Sequence, residues 1–397
     1  MHDVIVVGGG PGGLYSAYQL ARAGFDVAVL EEHPTAGVPV HCTGVLASEA
    51  YDEFELPHEA ILNTLARARF LSPSGRVVEY TTATTEALVV DRVLFDRGLH
   101  ERARKAGATL RLGTRVTAIS VGAHRVVVRA ADGSDTSGRS CVLACGASYS
   151  LQRRLGLGMP TVFLQSAQME LPARHAGDVE VHFGQTVAPK GFAWVVPVRR
   201  ADEQRARVGL MCHRHAARYF SEFRARVGPG WGLSSQPCED AGAPRHKLLP
   251  LAPIRRTYAD RLVAVGDAAG LVKATTGGGI YYSLVSAAIA ADVLAEALHR
   301  DQLGAGALKQ YEVRWRRRLG PELRAQLALR MLAQRLTDSH VEALFELART
   351  DGVMPIVRRT ARFNHHRDLI LSLFKHPPVR RVLFRHFVGK NLAFSVQ

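Results

Sequence analysis

An α/β chain is predicted, with a Rossmann-type FAD-binding domain, an inserted antiparallel β-sheet substrate domain and a helical C-terminal region. Three observations carry this. A glycine-rich turn joins an apolar strand to a helix at the very start, a second strand–turn–helix rich in glycine lies more than 250 residues later, and a strand-rich stretch separates the two. At 397 residues the chain is too long for one small core.

The first unit is Val4-Ile5-Val6-Val7, then Gly8-Gly9-Gly10-Pro11-Gly12-Gly13, then a helix through Leu14, Tyr15, Ser16 and Ala17. The four apolar residues read as a buried parallel strand, and Gly8, Gly10 and Gly13 supply the tight turn and the close approach of backbone to a pyrophosphate. The helix N-terminus adds N–H groups and partial positive charge. Ala17 and Gly24 are expected to keep the helix close to the sheet. A second strand, Val27 to Leu30, delivers Glu31 eighteen residues after Gly13, where a carboxylate can accept from both ribose hydroxyls of an adenosine. An acid there disfavours a 2′-phosphate, which points to FAD and away from NADP at this motif.

Pro34 to Ser48 is too irregular for a helix and sits where it could touch the cofactor. Residues 67–90 alternate as strands around the turn Ser72-Pro73-Ser74-Gly75, which predicts a hairpin. Asp91 opens a helix that runs to Ala106 and stops at Gly107, and strands follow near Thr109–Leu112, Arg115–Val121 and Val126–Ala130. Val142 to Ala147 reads as a buried strand returning to the nucleotide sheet. The organisation expected is a FAD-binding domain over 1–160, with 67–90 as an excursion from it, a β-rich substrate domain over 161–250, the second part of the FAD-binding domain over 251–300, and a basic helical region over 301–397.

The second cofactor motif is Leu262-Val263-Ala264-Val265-Gly266-Asp267-Ala268-Ala269-Gly270, followed by Thr275-Thr276-Gly277-Gly278-Gly279-Ile280 and a helix to about Leu298. Asp267 is placed to accept from a ribityl hydroxyl. The glycines at the head of the helix let its N–H groups face the pyrimidine edge of a flavin, where negative charge collects on reduction. Read alone, the Gly-Asp turn is a helix cap; in this order with the first motif it completes a FAD site.

Hydrophobic content of 47% is ordinary for a soluble protein, and no charge-free apolar run reaches eighteen residues. Residues 1–20 read as the first strand and helix of the fold and not as a signal peptide, so a cytoplasmic protein is expected. Cys42, Cys141, Cys145, Cys212 and Cys238 form neither a CxxC nor a His-flanked cluster, so reduced thiols and no metal site are expected. The net charge is +15, and residues 301–397 hold 18 Lys and Arg against 8 Asp and Glu. Such a tail suits an acidic protein or anionic lipid; with no RNA- or DNA-binding motif, nucleic acid is not expected.

Taken together, these motifs resemble the geranylgeranyl reductase family, within the FAD group that also holds p-hydroxybenzoate-hydroxylase-like monooxygenases and flavin-dependent halogenases. The resemblance covers residues 1–300 well and the tail loosely. Its marks are His41-Cys42-Thr43-Gly44, Asp91-Arg92 with Phe95-Asp96, Phe192-Ala193-Trp194-Val195-Val196-Pro197, and the Gly266 to Ile280 motif. It implies that Gly12, Glu31, Cys42, Gly44, Arg92, Val116, Asp267, Gly279 and Ile280 contact FAD, and that the substrate is the prenyl chain of a lipid, quinone or related isoprenoid whose C=C bonds are reduced. Phe192, Trp194 and Pro197 would line the substrate side, with Phe163 a further candidate; core packing is the alternative for each aromatic.

The departures are specific. The family's Y-x-W-x-F-P motif here carries Phe192 for Tyr and Val196 for Phe, a lost hydroxyl and a smaller side chain that leave the expected pocket apolar. The alternative function, an FAD-dependent monooxygenase on an aromatic or polyketide substrate, would call for the Asp-Gly that monooxygenases carry where this chain has Ser148-Tyr149-Ser150, and for the His that hydroxylases commonly place where Gly270 stands. No lysine precedes Lys105, so the lysine that halogenases need is missing. An isolated alkene offers no carbonyl to hold charge, so alignment and exclusion of water must carry the catalysis. Cys42 is a candidate catalytic proton donor or a packing thiol. No second GxGxxG occurs, so electrons would come from transiently bound NAD(P)H or from an acidic carrier such as ferredoxin. In the tail, Val379, Leu383 and Phe387 recur four apart opposite Arg381 and Arg385, as in a helix lying on an anionic membrane; a charged outer face on a packed helix is the alternative.

Overall fold

The structure, a computed structural model, describes residues 1–397 except 83, 176, 202, 234–242, 351 and 384–397. Two compact units are present. Met1–Ile61, Val90–Phe163 and Leu248–Leu323 form the first, and Leu62–Val89, Leu164–Lys247 and the chain from Arg324 onward form the second.

The sheet of the first unit runs β17 (Tyr258–Ala259), β18 (Leu262–Ala264), β11 (Asp135–Leu143), β1 (His2–Val7), β2 (Val27–Leu30), β8 (Thr109–Arg111). β1 is parallel to β11 and β2, β18 to β11, and β8 to β2. β9 (Val116–Val121) and β10 (Val126–Ala130) extend it as an antiparallel arm on β11. The apolar run predicted as a buried strand is one: Val4, Ile5 and Val6 are wholly inaccessible. The same sheet explains the helices. α1 (Pro11–Arg22) starts with Pro at its first turn, where a missing N–H costs nothing, and α3 (Arg92–Lys105) is capped by Asp91, whose carboxylate accepts from Val93 N at 2.8 Å and Leu94 N at 3.0 Å. The unit also holds α2 (Glu49–Phe54), α4 (Ser150–Arg154) and α6 (Ile280–His299). A three-stranded sheet has the order β3 (Val45–Ala47), β7 (Ala87–Val90), β4 (Ile61–Leu65).

The second unit is built on a seven-stranded sheet in the order β16 (Arg245–Pro250), β12 (Phe163–Pro172), β15 (Glu203–Cys212), β14 (Phe192–Arg200), β13 (Val179–His182), β5 (Arg67–Leu71), β6 (Val77–Thr81). One face is covered by α5 (Ala216–Trp231), whose Phe220, Phe223, Val227 and Trp231 pack on Ala193, Val195, Val208 and Leu210. α7 (Ala305–Ala333) begins in the first unit and ends in the second, and α8 (Asp338–Thr350), α9 (Val353–Thr360), α10 (Arg367–Lys375) and a helix over 377–383 follow.

Several expectations change. The hairpin around Ser72–Gly75 forms, but it is no excursion of the nucleotide domain: β5 pairs in parallel with β13 and so belongs to the second sheet. α5 lies in a stretch whose residues read as strands alone. Gly24 does not bring α1 to the sheet, since a Cβ there would meet nothing; its φ of +86° makes the turn after the helix. In the tail, Val379 and Leu383 are buried in a cluster with Leu332 and Val353, so that apolar seam is turned into the protein; Phe387 and Arg385 lie outside the described residues. α6 is long and apolar enough to cross a membrane, but 67% of that window is buried inside the protein, as expected of a core helix.

Candidate functional site for FAD

The parallel strands of the first unit end on one edge of the sheet, the edge at which such folds bind nucleotides. β1 runs out into Gly8, β2 into Glu31, and β18 through Val265 into the turn Gly266–Ala269. The two cofactor motifs meet there: a Cβ on Gly12, at the head of α1, would lie 3.3 Å from Ser283 Cβ near the head of α6 and 3.6 Å from Val265 Cγ2. Residues more than 250 positions apart in sequence thus share one site.

Each glycine of the first turn has its own reason. Gly8, at φ +109°, would drive a Cβ to 2.4 Å from Ala144 O, and Gly13 would drive one to 2.0 Å from Gly8 O. A Cβ on Gly10 would meet nothing within 4 Å. Gly10 therefore leaves space that no protein atom fills, at the N-terminus of a helix whose first N–H groups have no side-chain cap. That is the cradle a pyrophosphate requires.

Glu31 is fixed against this turn. Its Oε2 accepts from Gly9 N at 2.5 Å and its Oε1 from His33 N at 3.0 Å, and its side chain is 14% exposed. The spacing of the motif does not single out Gly9, yet a Cβ there would press on Glu31 Cβ at 3.0 Å. Thr114 N donates to Glu31 O at 2.7 Å, which brings the segment leading into Val116, half-buried at the start of β9, beside the same strand end.

A second group forms around the head of α3. Arg92 Nη2 donates to both oxygens of Asp96, at 3.0 and 2.8 Å, and Gly44 N donates to Cys42 Sγ at 3.3 Å. Burial alone would lower the Arg92 pKa, but Asp96 and Cys42 more than reverse it, so the guanidinium stays charged. Its Nε is buried with no hydrogen-bond partner. Gly37, from the irregular Pro34 to Ser48 segment, lets that segment sit on α3: a Cβ would lie 3.0 Å from Val93 Cα.

At the second motif, Gly279 caps α6 and Ile280 is its first residue. A Cβ on Gly279 would lie 2.6 Å from Asp267 Oδ1, so Asp267 and the helix head are in contact. Tyr149 OH donates to Asp267 O at 2.5 Å and Gln152 Nε2 to Ala268 O at 3.2 Å. Burial, with Asp267 and Cys145 adding to it, raises the Tyr149 pKa and keeps the phenol a donor. In sequence, Ser148-Tyr149-Ser150 marks only a missing monooxygenase motif; in the fold Tyr149 is a strut under the Asp267 turn. Gly270, at φ +68°, would place a Cβ 2.2 Å from Ala252 O, so no histidine fits on this backbone. The open cradle at Gly10, the carboxylates of Glu31 and Asp267 and the unpartnered Arg92 Nε fit FAD.

Phe192, Trp194 and Pro197 lie in the second unit, on β14. Strand alternation puts Ala193 and Val195 on the α5 face and Phe192 and Trp194 on the other. The Trp194 indole lies across Gly209, where a Cβ would come within 2.5 Å of the ring, and its Nε1 is buried without a partner. Phe183, Phe192 and Trp194 form a chain of rings at 6.1 and 5.7 Å. Pro197 pairs with Ala206 and shares the α5 face, so it does not join the two aromatics. Phe163 instead packs edge-on against Tyr149 in the first unit, with ring centroids 5.8 Å apart. Among the described residues no group of three or more His, Cys, Asp and Glu is placed to hold a metal ion.

Comparison with known proteins agrees with this architecture. Residues 2–171 match the family model described as pyridine nucleotide-disulphide oxidoreductase. The chain is 31% identical over 365 residues to a digeranylgeranylglycerophospholipid reductase of Methanocaldococcus jannaschii, covering 87% of this chain and 90% of that one. It is also 31% identical over 359 residues to digeranylgeranylglycerophospholipid reductase 2 of Methanothermobacter thermautotrophicus, covering 86% and 90%. A crystal structure of a geranylgeranyl bacteriochlorophyll reductase-like protein from Thermoplasma acidophilum superposes with a TM-score of 0.82 over 98% of both chains at 22% identity, a likeness of fold. With the glycine cradle, the Glu31 and Asp267 carboxylates and this extent of similarity, the chain belongs to the geranylgeranyl reductase family of FAD-dependent oxidoreductases.

Proposed function

We propose that the protein reduces C=C bonds in the prenyl chains of an isoprenoid lipid. The observation that supports this most is that a chain with both FAD motifs also carries, within its second unit, a run of aromatic rings, Phe183, Phe192 and Trp194, with centroids 6.1 and 5.7 Å apart. Such rings offer an alkyl chain apolar contact area. The relatives named digeranylgeranylglycerophospholipid reductase make a prenyl phospholipid the substrate of choice.

In this reading Gly8, Gly10, Gly12 and Gly13 hold the pyrophosphate, Glu31 the adenosine ribose, Asp267 the ribityl chain, and Gly279 and Ile280 the flavin edge. Val116 packs beside the adenosine end. Bound FAD supplies the hydride. Cys42, whose Sγ accepts from Gly44 N at 3.3 Å and faces Arg92, would be the candidate proton donor beside the cofactor. The monooxygenase alternative is disfavoured by Gly270, whose backbone admits no side chain.

Electrons come from NAD(P)H or from a small acidic carrier attracted by the basic surface. Contact with anionic lipid at the cytoplasmic face of a membrane would use the exposed Arg358, Arg359, Arg362, Arg380 and Arg381 and not the buried seam of Val379 and Leu383. The deciding experiment incubates the purified protein with FAD, dithionite and a geranylgeranylated phospholipid, followed by lipid mass spectrometry. A gain of two mass units for each reduced double bond is expected. A loaded flavoprotein that returns the lipid unchanged, with NADH, NADPH and reduced ferredoxin also tried as donors, would refute the reading.

A further inference from the structure

Of the 51 basic residues only seven are lysines, and one of them, Lys273, is 3% exposed. It lies in the loop between the Asp267 turn and the head of α6. Its backbone closes that loop: Lys273 N donates to Gly278 O at 3.1 Å, and Gly277 N donates to Lys273 O at 2.8 Å. The side chain runs beneath Gly278, where a Cβ would be 3.8 Å from Lys273 Cδ and 4.0 Å from Cε. Its buried stem therefore supports the residue that precedes the Gly279 cap of α6.

The charges around it come from two other helices. Glu49 opens α2 and Glu322 lies on α7, and both act on the Lys273 ammonium. One helical turn from each, Glu53 and Arg318 form an ion pair, and Tyr281 of α6 donates to Glu53 Oε2 at 2.8 Å. Tyr281, Glu53 and Arg318 thus tie α2 and α7 to the head of α6, while Glu49 and Glu322 act on the Lys273 charge from the same two helices. Asp267, in contact with Gly279, is the remaining ionisable group on this loop. Burial lowers the Lys273 pKa, Glu49 and Glu322 oppose that, and the result stands at about 7. An arginine could not titrate in this way, which gives a lysine at this position a distinct consequence in a chain that otherwise favours arginine.

We infer that Lys273, buried beneath the loop that leads into the α6 head, is a positioning residue that takes up a proton when the bound cofactor is reduced. The inference rests on the FAD reading above. Two electrons from a reductant such as dithionite and one proton from solvent would leave the bound cofactor with one more negative charge, and a second proton drawn from solvent onto Lys273 Nζ would balance it. Wild-type protein then takes up two protons per two electrons over the range where Lys273 is neutral in the oxidised form and charged in the reduced one. Lys273→Met and Lys273→Arg take up one.

The test is a redox titration of bound FAD from pH 7.5 to 9, after the FAD content of each protein has been measured. A potential that falls with pH twice as steeply in wild type as in both variants is expected. Glu322→Gln, which removes a carboxylate that favours the ammonium, should move the start of the steep region to lower pH. A second readout needs no cofactor. Between pH 7 and 10 the unfolded chain holds a proton that the folded one has lost, so the melting temperature of the apoprotein should rise with pH relative to Lys273→Met. Wild-type protein that binds no FAD overturns the cofactor reading and this inference with it. FAD-loaded wild type and Lys273→Arg with equal slopes overturn this inference alone, as does an apoprotein melting difference that is flat with pH.

Discussion

Replacing Gly10 and Gly13 by alanine, one at a time, separates the role of binding from the role of folding within a single turn. The Gly10 Cβ would meet no protein atom, and the residue has φ −81° and ψ 179°, a conformation that alanine adopts freely. The gain from a stiffer unfolded chain, about 0.4–1 kcal/mol, roughly offsets the poorer helix cap, so the stability of the apoprotein should change by less than about 0.5 kcal/mol. The methyl group would instead occupy the pyrophosphate cradle. Losing two hydrogen bonds to a charged group, at roughly 1.5–3 kcal/mol each, predicts that FAD binds at least about 100-fold more weakly. The Gly13 Cβ would stand 2.0 Å from Gly8 O, which α1 can relieve only by leaving the sheet. Overpacking of that kind costs about 1–3 kcal/mol or more and should lower the melting temperature of the apoprotein. Flavin fluorescence titration and apoprotein melting separate the two variants. Wild-type FAD affinity in Gly10→Ala would refute the assignment of the cradle.

Asp267→Ala should lose FAD or weaken it strongly and Glu31→Ala should weaken it less, since in the proposed site Glu31 would serve a ribose that the glycine turn would also hold; the reverse order in a binding titration would contradict the roles proposed for these two carboxylates. Trp194→Ala should lower turnover of a prenyl lipid more than flavin content, whereas equal losses would make Trp194 a core residue. Cys42→Ser should retain FAD and alter turnover, and unchanged steady-state kinetics would reduce Cys42 to packing. Removal of residues 378–397 should lower sedimentation with anionic liposomes at low salt while FAD remains bound; full-length protein that stays in the supernatant with anionic and neutral liposomes alike would end the membrane proposal.

What the sequence made legible follows from the range of the interactions concerned. The glycines of the first turn and the strand before them are local, fixed by backbone sterics within a dozen residues, and they stand where the spacing put them. Glu31 is found by its distance from Gly13, but its anchor on the Gly9 N–H is not, because no spacing rule reports on a hydrogen bond between a strand end and a turn. α5 escapes a strand-based reading although Phe220, Phe223, Val227 and Trp231 recur at helical spacing; Gly228, Pro229 and Gly230 near its end make the stretch look irregular. Pro197 is grouped with Phe192 and Trp194 because the three share a motif, yet an odd separation along a strand places it on the opposite face. The period of two, applied to the motif, separates them.

Interactions that join distant helices left no such trace. Lys273 in isolation is one lysine in a glycine-rich loop, and Glu49 and Glu322 are acids on two helix faces separated by 273 positions. Only the packing of α2 and α7 near the head of α6 makes them one electrostatic unit. The same holds for Tyr149, whose sequence context suggests only what the protein is not. Its phenol and the Gln152 amide hold the backbone of the Asp267 turn from beneath, at 2.5 and 3.2 Å, so that the main chain carrying the carboxylate is fixed before any ligand arrives. A turn that binds FAD through one side chain needs its main chain held by others, and that support comes from residues more than a hundred positions away. The motif therefore marks the candidate cofactor turn, and the distant residues decide how rigidly its main chain is held.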